Sequence, residues 1–243
     1  MRPAIVTFTD FGAEGPYLGQ VRAALLREAP TVPVIDLMAD APSFDPMASA
    51  YLLAALAPET PPGCVVLAVV DPGVGGARDP VVVEAGGRLF VGPDNGLFEP
   101  VMRRADAIRC WRIDWRPARL SATFHGRDLF APVAGRLARG EAPEAAGCTP
   151  LAPPRRADWP DDLARVVYVD HYGNAMTGLR ADGVRSLAAA GATLACADRF
   201  SAVAAGQAFW YANSIGLVEI AVNGGSAAER LGLRVGDAVS PGT

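Results

Sequence analysis

CVVLAVVDPGVGG, residues 64–76, is the stretch on which the fold turns. Residues 64–70 form an unbroken apolar run, too short for a typical helix. Such a run fits a strand covered on both faces, as in a parallel sheet with helices on either side. The carboxylate Asp71 follows at once, in a loop of proline and glycines. In doubly wound sheets ligands sit beyond the carboxyl ends of the strands, so the same stretch marks a candidate site.

Working outward, strand and helix alternate. Residues 4–8 read as a strand ending at Thr9-Asp10-Phe11-Gly12. A helical pattern over residues 16–27 puts Leu18, Val21, Leu25 and Leu26 on one face. Residues 32–37 give a second strand. Asp45-Pro46 fits an N-cap followed by proline at the first helical position, opening a helix to about residue 56. Residues 81–84 and 88–91 flank Ala85-Gly86-Gly87 and read as a hairpin. A helix near 97–104, a strand near 107–113 and a helix near 129–139 complete an α/β domain with a mostly parallel sheet over residues 1–152. Residues 150–162 are rich in proline and charge and read as a linker. Beyond it, short strands at 166–169, 193–197, 208–211 and 217–222 are separated by glycine turns. They predict a small C-terminal β-barrel domain over residues 163–243.

Composition narrows the chemistry. The chain has 243 residues, 51% of them hydrophobic, enough for a sizeable core. Its net charge of −4 argues against a nucleic-acid or anionic-membrane partner. All 22 basic residues are arginine, which removes Schiff-base lysine chemistry and the phosphate-loop lysine. Cys64, Cys110, Cys148 and Cys196 lie far apart and read as buried reduced thiols. There is no signal peptide and no apolar stretch of membrane-spanning length, so a soluble cytoplasmic protein is expected.

Polar residues at predicted strand ends supply the candidate site: Asp10, Asp71, Asp94 and Asp170, each in a loop with glycine, proline or asparagine. Any one of them could simply make its turn. Several at one edge of a layer make a polar cleft. His125, in Phe124-His125-Gly126-Arg127-Asp128, precedes a predicted helix. Asp10, Asp71, Asp94, Asn95 and His125 also suggest a metallophosphoesterase. There is no H-x-H or H-E-x-x-H element, and two histidines cannot supply a histidine-rich bimetal centre, so no metal is expected. The tail over residues 225–237 resembles the later part of a PDZ domain, but lacks the loop that captures a peptide carboxylate. A short helix and a glycine turn into a last strand account for it better.

Together these loops resemble the S-adenosyl-L-methionine hydroxide adenosyltransferases, relatives of the fluorinase and chlorinase enzymes. The resemblance covers nearly the whole chain. It rests on residues 9–12, 71–75 with Arg78, 92–96, 124–128, Asp170 with Gly173-Asn174, and residues 213–214 through 223–227. It implies an N-terminal α/β domain, a C-terminal β-barrel and a homotrimer with sites between subunits. It also implies S-adenosyl-L-methionine as substrate, without a cofactor. By the same resemblance Asp71, Arg78 and His125 handle the attacking water. Asp10 holds the ribose hydroxyls, and Asp170 and Ser214 grip the methionine end. Asn174 and the backbone near Val222 and Asn223 read adenine, with Phe200 stacked on it; Asn95 and Tyr211 join the substrate-binding set. Glu219 interrupts an apolar strand, so it needs a partner if buried, and a substrate amino group is one candidate. The chain departs from the fluorinase at Asp71, where that enzyme has tyrosine, and at His125-Gly126, where it has Tyr-Ser. A carboxylate near the anion site would repel halide. Ile215 stands where the fluorinase has arginine.

Overall fold

The apolar run becomes β3 (Val65–Val69), an inner strand of a seven-stranded sheet in a computed structural model that describes residues 2–242. The chain divides into two compact units, residues 1–157 and 158–243. In the first unit β1 (Ile5–Thr9), α1 (Tyr17–Glu28), β2 (Val34–Met38) and α2 (Pro46–Leu56) precede β3. After it come β4 (Pro80–Ala85), β5 (Arg88–Pro93), α3 (Glu99–Arg103) and β6 (Ile108–Ile113). A wide π-helical turn, Gly126–Phe130, then leads into α4 (Ala131–Ala138), and β7 (Cys148–Leu151) follows.

The strand order is β2-β1-β3-β5-β4-β6-β7. Strands β2, β1, β3 and β5 pair in parallel, while β4 and β7 run against their neighbours. The order reverses between β1 and β3, because the chain steps from β1 to β2 on one side and returns to β3 on the other. At such a switch point the crossover helices leave on opposite faces and a crevice opens beyond the strand ends. On one face Ile5, Val65, Leu67 and Val69 pack against Val21 and Leu25 of α1 and Val133 and Leu137 of α4. On the other, Phe90 meets Phe98 at the start of α3, ring centroids 5.8 Å apart. Helix α2 starts as expected: the Asp45 carboxylate caps it by accepting from the Ala48 N–H at 2.9 Å, with Pro46 next. Residues 48–55 are all buried, so this helix is surrounded by protein.

The predicted linker is partly structured. Residues 150 and 151 belong to β7, and Arg156 is tied back to the first unit. Its N–H donates to the buried Glu99 carboxylate at 2.9 Å, and its Nη2 donates to Asp94 Oδ1 at 2.9 Å. Proline and charge hid this segment because its bonds are made to side chains rather than to a sheet.

The second unit holds β8 (Leu163–Val169), β9 (Ala175–Arg180), β10 (Ser186–Ala189), β11 (Ala192–Cys196), β12 (Ala208–Ala212), β13 (Leu217–Val222), α5 (Ala227–Leu231) and β14 (Ser240–Gly242). Their order is β14-β10-β11-β12-β13-β9-β8. The tail nearly closes the ring. The Val166 N–H donates to Asp237 O at 2.8 Å and Val239 N–H to Ala164 O at 3.0 Å, after which β14 pairs with β10. The PDZ-like tail is therefore the closing segment of the barrel. Its helix α5 is capped by Ser226 and ends at Gly232 in the left-handed region. Strands β9 and β10 escaped the sequence reading, being interrupted by glycine or rich in alanine, whereas β14 is the last strand expected after the tail helix.

Cys64, Cys110 and Cys148 are buried and free, with burial pushing the Cys110 and Cys148 thiols up to about 11 and about 12. Cys196, expected inside, is exposed, because β11 is covered mainly at Leu194. Among the described residues no helix is long and apolar enough to cross a membrane.

Gly92 permits the closest approach in the sheet: a Cβ there would stand 2.1 Å from Ala68 O of β3. Gly92→Ala should therefore destabilise the protein by about 3 kcal/mol through overpacking. Gly19, exposed on α1 with nothing within 4 Å of a Cβ, is the contrasting position. Gly19→Ala should stabilise by about 0.5–1 kcal/mol from helix propensity. Urea midpoints for the two variants should move in opposite directions; a midpoint for Gly92→Ala at or above wild type would contradict this packing.

Candidate active site

Three loops meet at the switch point. The first follows β1 and carries Asp10 and Phe11. The second follows β3 and carries Asp71 through Arg78. The third, residues 121–127, leads into the π-helical turn and carries His125. They line a cleft of about 620 Å³ together with Ser43 and Phe44 from beyond β2. Glycines allow the loops to touch. Gly75 has φ +79°, and a Cβ there would stand 2.5 Å from Ala122 O. At Gly126 a Cβ would stand 2.9 Å from Phe11 Cζ.

Arg78 joins the second and third loops. Its Nε donates to Asp71 Oδ1 at 3.1 Å and Oδ2 at 3.0 Å, and its Nη2 also bonds Asp71 Oδ2. The same Nη2 donates to His125 Nδ1 at 3.0 Å. Side-chain exposure is only 10% for Arg78 and 4% for Asp71. The guanidinium lies over the Phe130 ring, 5.4 Å from its centroid. Asp71 and His125 line the cleft, whereas Arg78 stands behind them. Arginine has no acceptor, so Nδ1 must receive the bond and the proton of a neutral His125 resides on Nε2. Burial, with the Arg78 charge second, pushes the His125 pKa below its ordinary value; Asp71 opposes this. Asp10 moves the other way: burial raises its pKa, the Phe44 N–H donating at 3.4 Å opposes, and the Asp71 charge adds to the rise.

Asn95 is not among the residues lining this cleft. Its Nδ2 donates to Val70 O at 2.8 Å and its Oδ1 accepts from Leu97 N–H at 3.3 Å. It thus fixes the peptide that leads into Asp71. The sequence reading missed Gln20 and Phe44 and gave no role to Phe124 and Arg127 beside His125; all four are in the cleft wall. Arg127 donates to Gln20 Oε1 at 2.8 Å and lies over the Phe124 ring. Gln20 on α1 gave no signal, being 107 residues from its partner. Phe44 is 80% exposed and has a positive φ of 59°, uncommon for an aromatic residue.

The second unit has its own cleft, of about 750 Å³, lined by Asp170, Asn174, Phe200, Tyr211, Ser214, Glu219 and Val222 among others. Asp170 Oδ1 accepts from the N–H groups of Tyr172 and Asn174 at 2.9 and 2.8 Å. Its Oδ2 accepts from Asn174 Nδ2 at 2.9 Å. Gly173, at φ +81°, makes this tight turn possible. Phe200 and Phe209 meet edge-to-face at 5.2 Å, with Tyr211 5.6 Å from each. Asn223 does not line the cleft; its Nδ2 donates to Val203 O at 2.8 Å. Asn213, Tyr172 and Met176 are lining residues that the sequence reading did not single out. Among the described residues no group of three or more His, Cys, Asp or Glu is placed to share a metal ion.

One unit is a doubly wound α/β sheet with a polar cleft at its switch point, and the other is a nearly closed barrel-like sheet with a cleft of its own. Residues 5–147 match the S-adenosyl-L-methionine hydroxide adenosyltransferase N-terminal domain, and residues 164–240 the C-terminal domain. The chain belongs to this family. It is 40% identical to an (R)-S-adenosyl-L-methionine hydrolase of Salinispora arenicola, over 97% of this chain and 96% of that one. A fluorinase of Actinopolyspora mzabensis is 24% identical over 76% of this chain and 74% of its own. A crystal structure of an uncharacterized conserved protein from Thermotoga maritima superposes with a TM-score of 0.88 at 29% identity, covering 98% of this chain and all of that one.

The His125 environment yields a direct expectation. With two histidines in the chain, His171→Gln leaves one imidazole to follow by NMR. His125 should titrate below 6.5, because burial and Arg78 both disfavour the imidazolium. Arg78→Met should move that midpoint upward, since a repelling cation goes while Asp71 stays. A wild-type midpoint at or above 6.5 would contradict the arrangement.

Proposed function

We propose that this protein hydrolyses S-adenosyl-L-methionine to adenosine and L-methionine. The observation that carries the reading is the Arg78 guanidinium shared by Asp71 and His125 at the floor of the first cleft. The family membership and the named hydrolase relative support it. That relative's name specifies the (R) form, and we extend the same sulfonium configuration to this chain.

Water attacks C5′ of the ribose, and the C5′–S bond breaks with its electron pair passing to sulfur. The sulfonium leaves as the neutral thioether of methionine, so no acid is needed for expulsion. What the protein must supply is a nucleophile. His125, neutral and protonated on Nε2, donates to the water oxygen and orients one lone pair. The Asp71 carboxylate, which retains acceptor capacity after binding Arg78, takes the proton. Arg78 holds both groups in place and favours hydroxide character electrostatically. Asp10, a single carboxylate with two oxygens, suits a vicinal ribose diol. In the second cleft Asp170 and Ser214 suit the methionine end, and Asn174, Phe200, Tyr211 and Val222 suit adenine. Asn95 and Asn223 act behind the contact surface. No metal or cofactor enters this reading. The Asp71 carboxylate and the His125-Gly126 pair disfavour halide as nucleophile. The working assembly we propose is a cytoplasmic homotrimer, the N-terminal unit of one subunit and the C-terminal unit of its neighbour sharing each substrate; light scattering reads the stoichiometry.

The decisive experiment incubates the purified protein with each sulfonium epimer, with a chelator and high chloride present. Adenosine and L-methionine should form in equal amounts from the (R) epimer, with no 5′-halogenated nucleoside by mass spectrometry. Activity abolished by chelation and restored by a divalent metal would sink the reading, as would a halogenated product.

Asp71→Ala, Arg78→Ala and His125→Ala should each lower single-turnover rates by about a hundredfold to ten-thousandfold while calorimetric substrate affinity changes little. Pairs should be non-additive, because the three act on one water molecule. Asp10→Ala should mainly weaken binding. Near wild-type rates in Arg78→Ala and His125→Ala would remove both from the mechanism.

A further inference from the structure

We propose that Glu219, although it reaches the lining of the second cleft, is a positioning residue that braces both walls at once, its carboxylate turned to its own donors rather than to the substrate. This rests on the assignment of S-adenosyl-L-methionine to that cleft. Glu219 lies on β13, which is otherwise apolar, and is 3% exposed. A buried carboxylate needs donors, and Glu219 has one for each oxygen. Tyr211 Oη donates to Oε1 at 2.7 Å, and Asn213 Nδ2 donates to Oε2 at 2.7 Å. The protein's own groups therefore supply the partner that the sequence reading sought in a substrate amine.

Each donor leads to a different wall. The Tyr211 ring packs edge-on against Phe200, with centroids 5.6 Å apart, and stacks on Phe209. Fixing the phenol hydroxyl fixes the aromatic wall proposed for adenine. Asn213 uses its other end to shape a turn: Oδ1 accepts from Ile215 N–H at 3.1 Å and Leu217 N–H at 2.9 Å. That turn presents Ser214, proposed for the methionine end. With Oδ1 so engaged, the Asn213 amide cannot flip, and Nδ2 must point at Glu219. Burial raises the Glu219 pKa and, with the Glu219 bond second, that of the Tyr211 phenol. The two groups thus meet in a water-poor contact.

A brace and a contact give different binding patterns. Adenosine and L-methionine, titrated separately by calorimetry, report on the two walls. Glu219→Leu should weaken both by about tenfold, because each wall loses a hydrogen bond to a charged group. Glu219→Gln should restore most of both affinities. Its carbonyl can accept from Asn213, and the Tyr211 hydroxyl can turn to accept from its amide. If Glu219→Leu does not fold, single-arm variants decide: Tyr211→Phe should weaken adenosine alone, and Asn213→Ala should weaken L-methionine alone. Loss of L-methionine binding only, equal in Glu219→Leu and Glu219→Gln, would mean a direct ionic contact and overturn the proposal. So would unchanged affinities for both probes in the folded variants. Wild-type protein that binds neither probe would instead overturn the assignment of the cleft.

Discussion

A single guanidinium, that of Arg78, ties together groups that the chain places 54 residues apart, Asp71 and His125. It is nearly excluded from solvent, so its charge must be answered inside the protein. Asp71 answers it with both carboxylate oxygens. Breaking such a buried pair by removing one partner typically costs about 3–5 kcal/mol, because the remaining charge is stranded. The planar fork of arginine is what allows one end of the group to serve a carboxylate and an imidazole together. The compact ammonium of lysine has no such geometry. The surrounding glycines, the π-helical turn and the Asn95 amide all serve to bring the loops to this one group.

The fold around it was largely legible because its signals are local. A continuous apolar run at residues 64–70 announces a buried strand, and Asp45-Pro46 announces a helix start, each within a few residues. The site was legible where a polar residue breaks such a run at its end, as at Asp10, Asp71 and Asp170. It was not legible where the decisive contact is remote. Nothing near Asn95 says that its amide will be consumed by the Val70 carbonyl. Nothing near Gln20 points to Arg127. Glu219 stood out correctly as a buried carboxylate in need of partners, yet which partners depends on how β12 and β13 pair, with Tyr211 directly opposite Glu219. The barrel suffered most, at β9 and β10, which are interrupted by glycine or rich in alanine.

The two clefts are built on different principles. The first is assembled largely from loops at the carboxyl ends of parallel strands and concentrates charged groups. The second lies on a barrel, with aromatic rings forming one wall and hydrogen-bonded turns the other. Asp170 spends its carboxylate on backbone and amide N–H groups, so it is oriented before any ligand arrives. Preorganisation of this kind lowers the entropy lost on binding. In the proposed function the first cleft sets reactivity, and the second supplies affinity and orientation.

The close approach of Gly126 to Phe11 limits how the first cleft can be altered. A Cβ at that position would press on the Phe11 ring at 2.9 Å, and Phe11 in turn packs on Phe124. The atom met is the tip of the Phe11 ring, so a larger residue at 126 displaces a side chain rather than backbone. Phe11, Phe124 and Gly126 all line the first cleft, so such a change would reshape its aromatic wall together with the surroundings of His125.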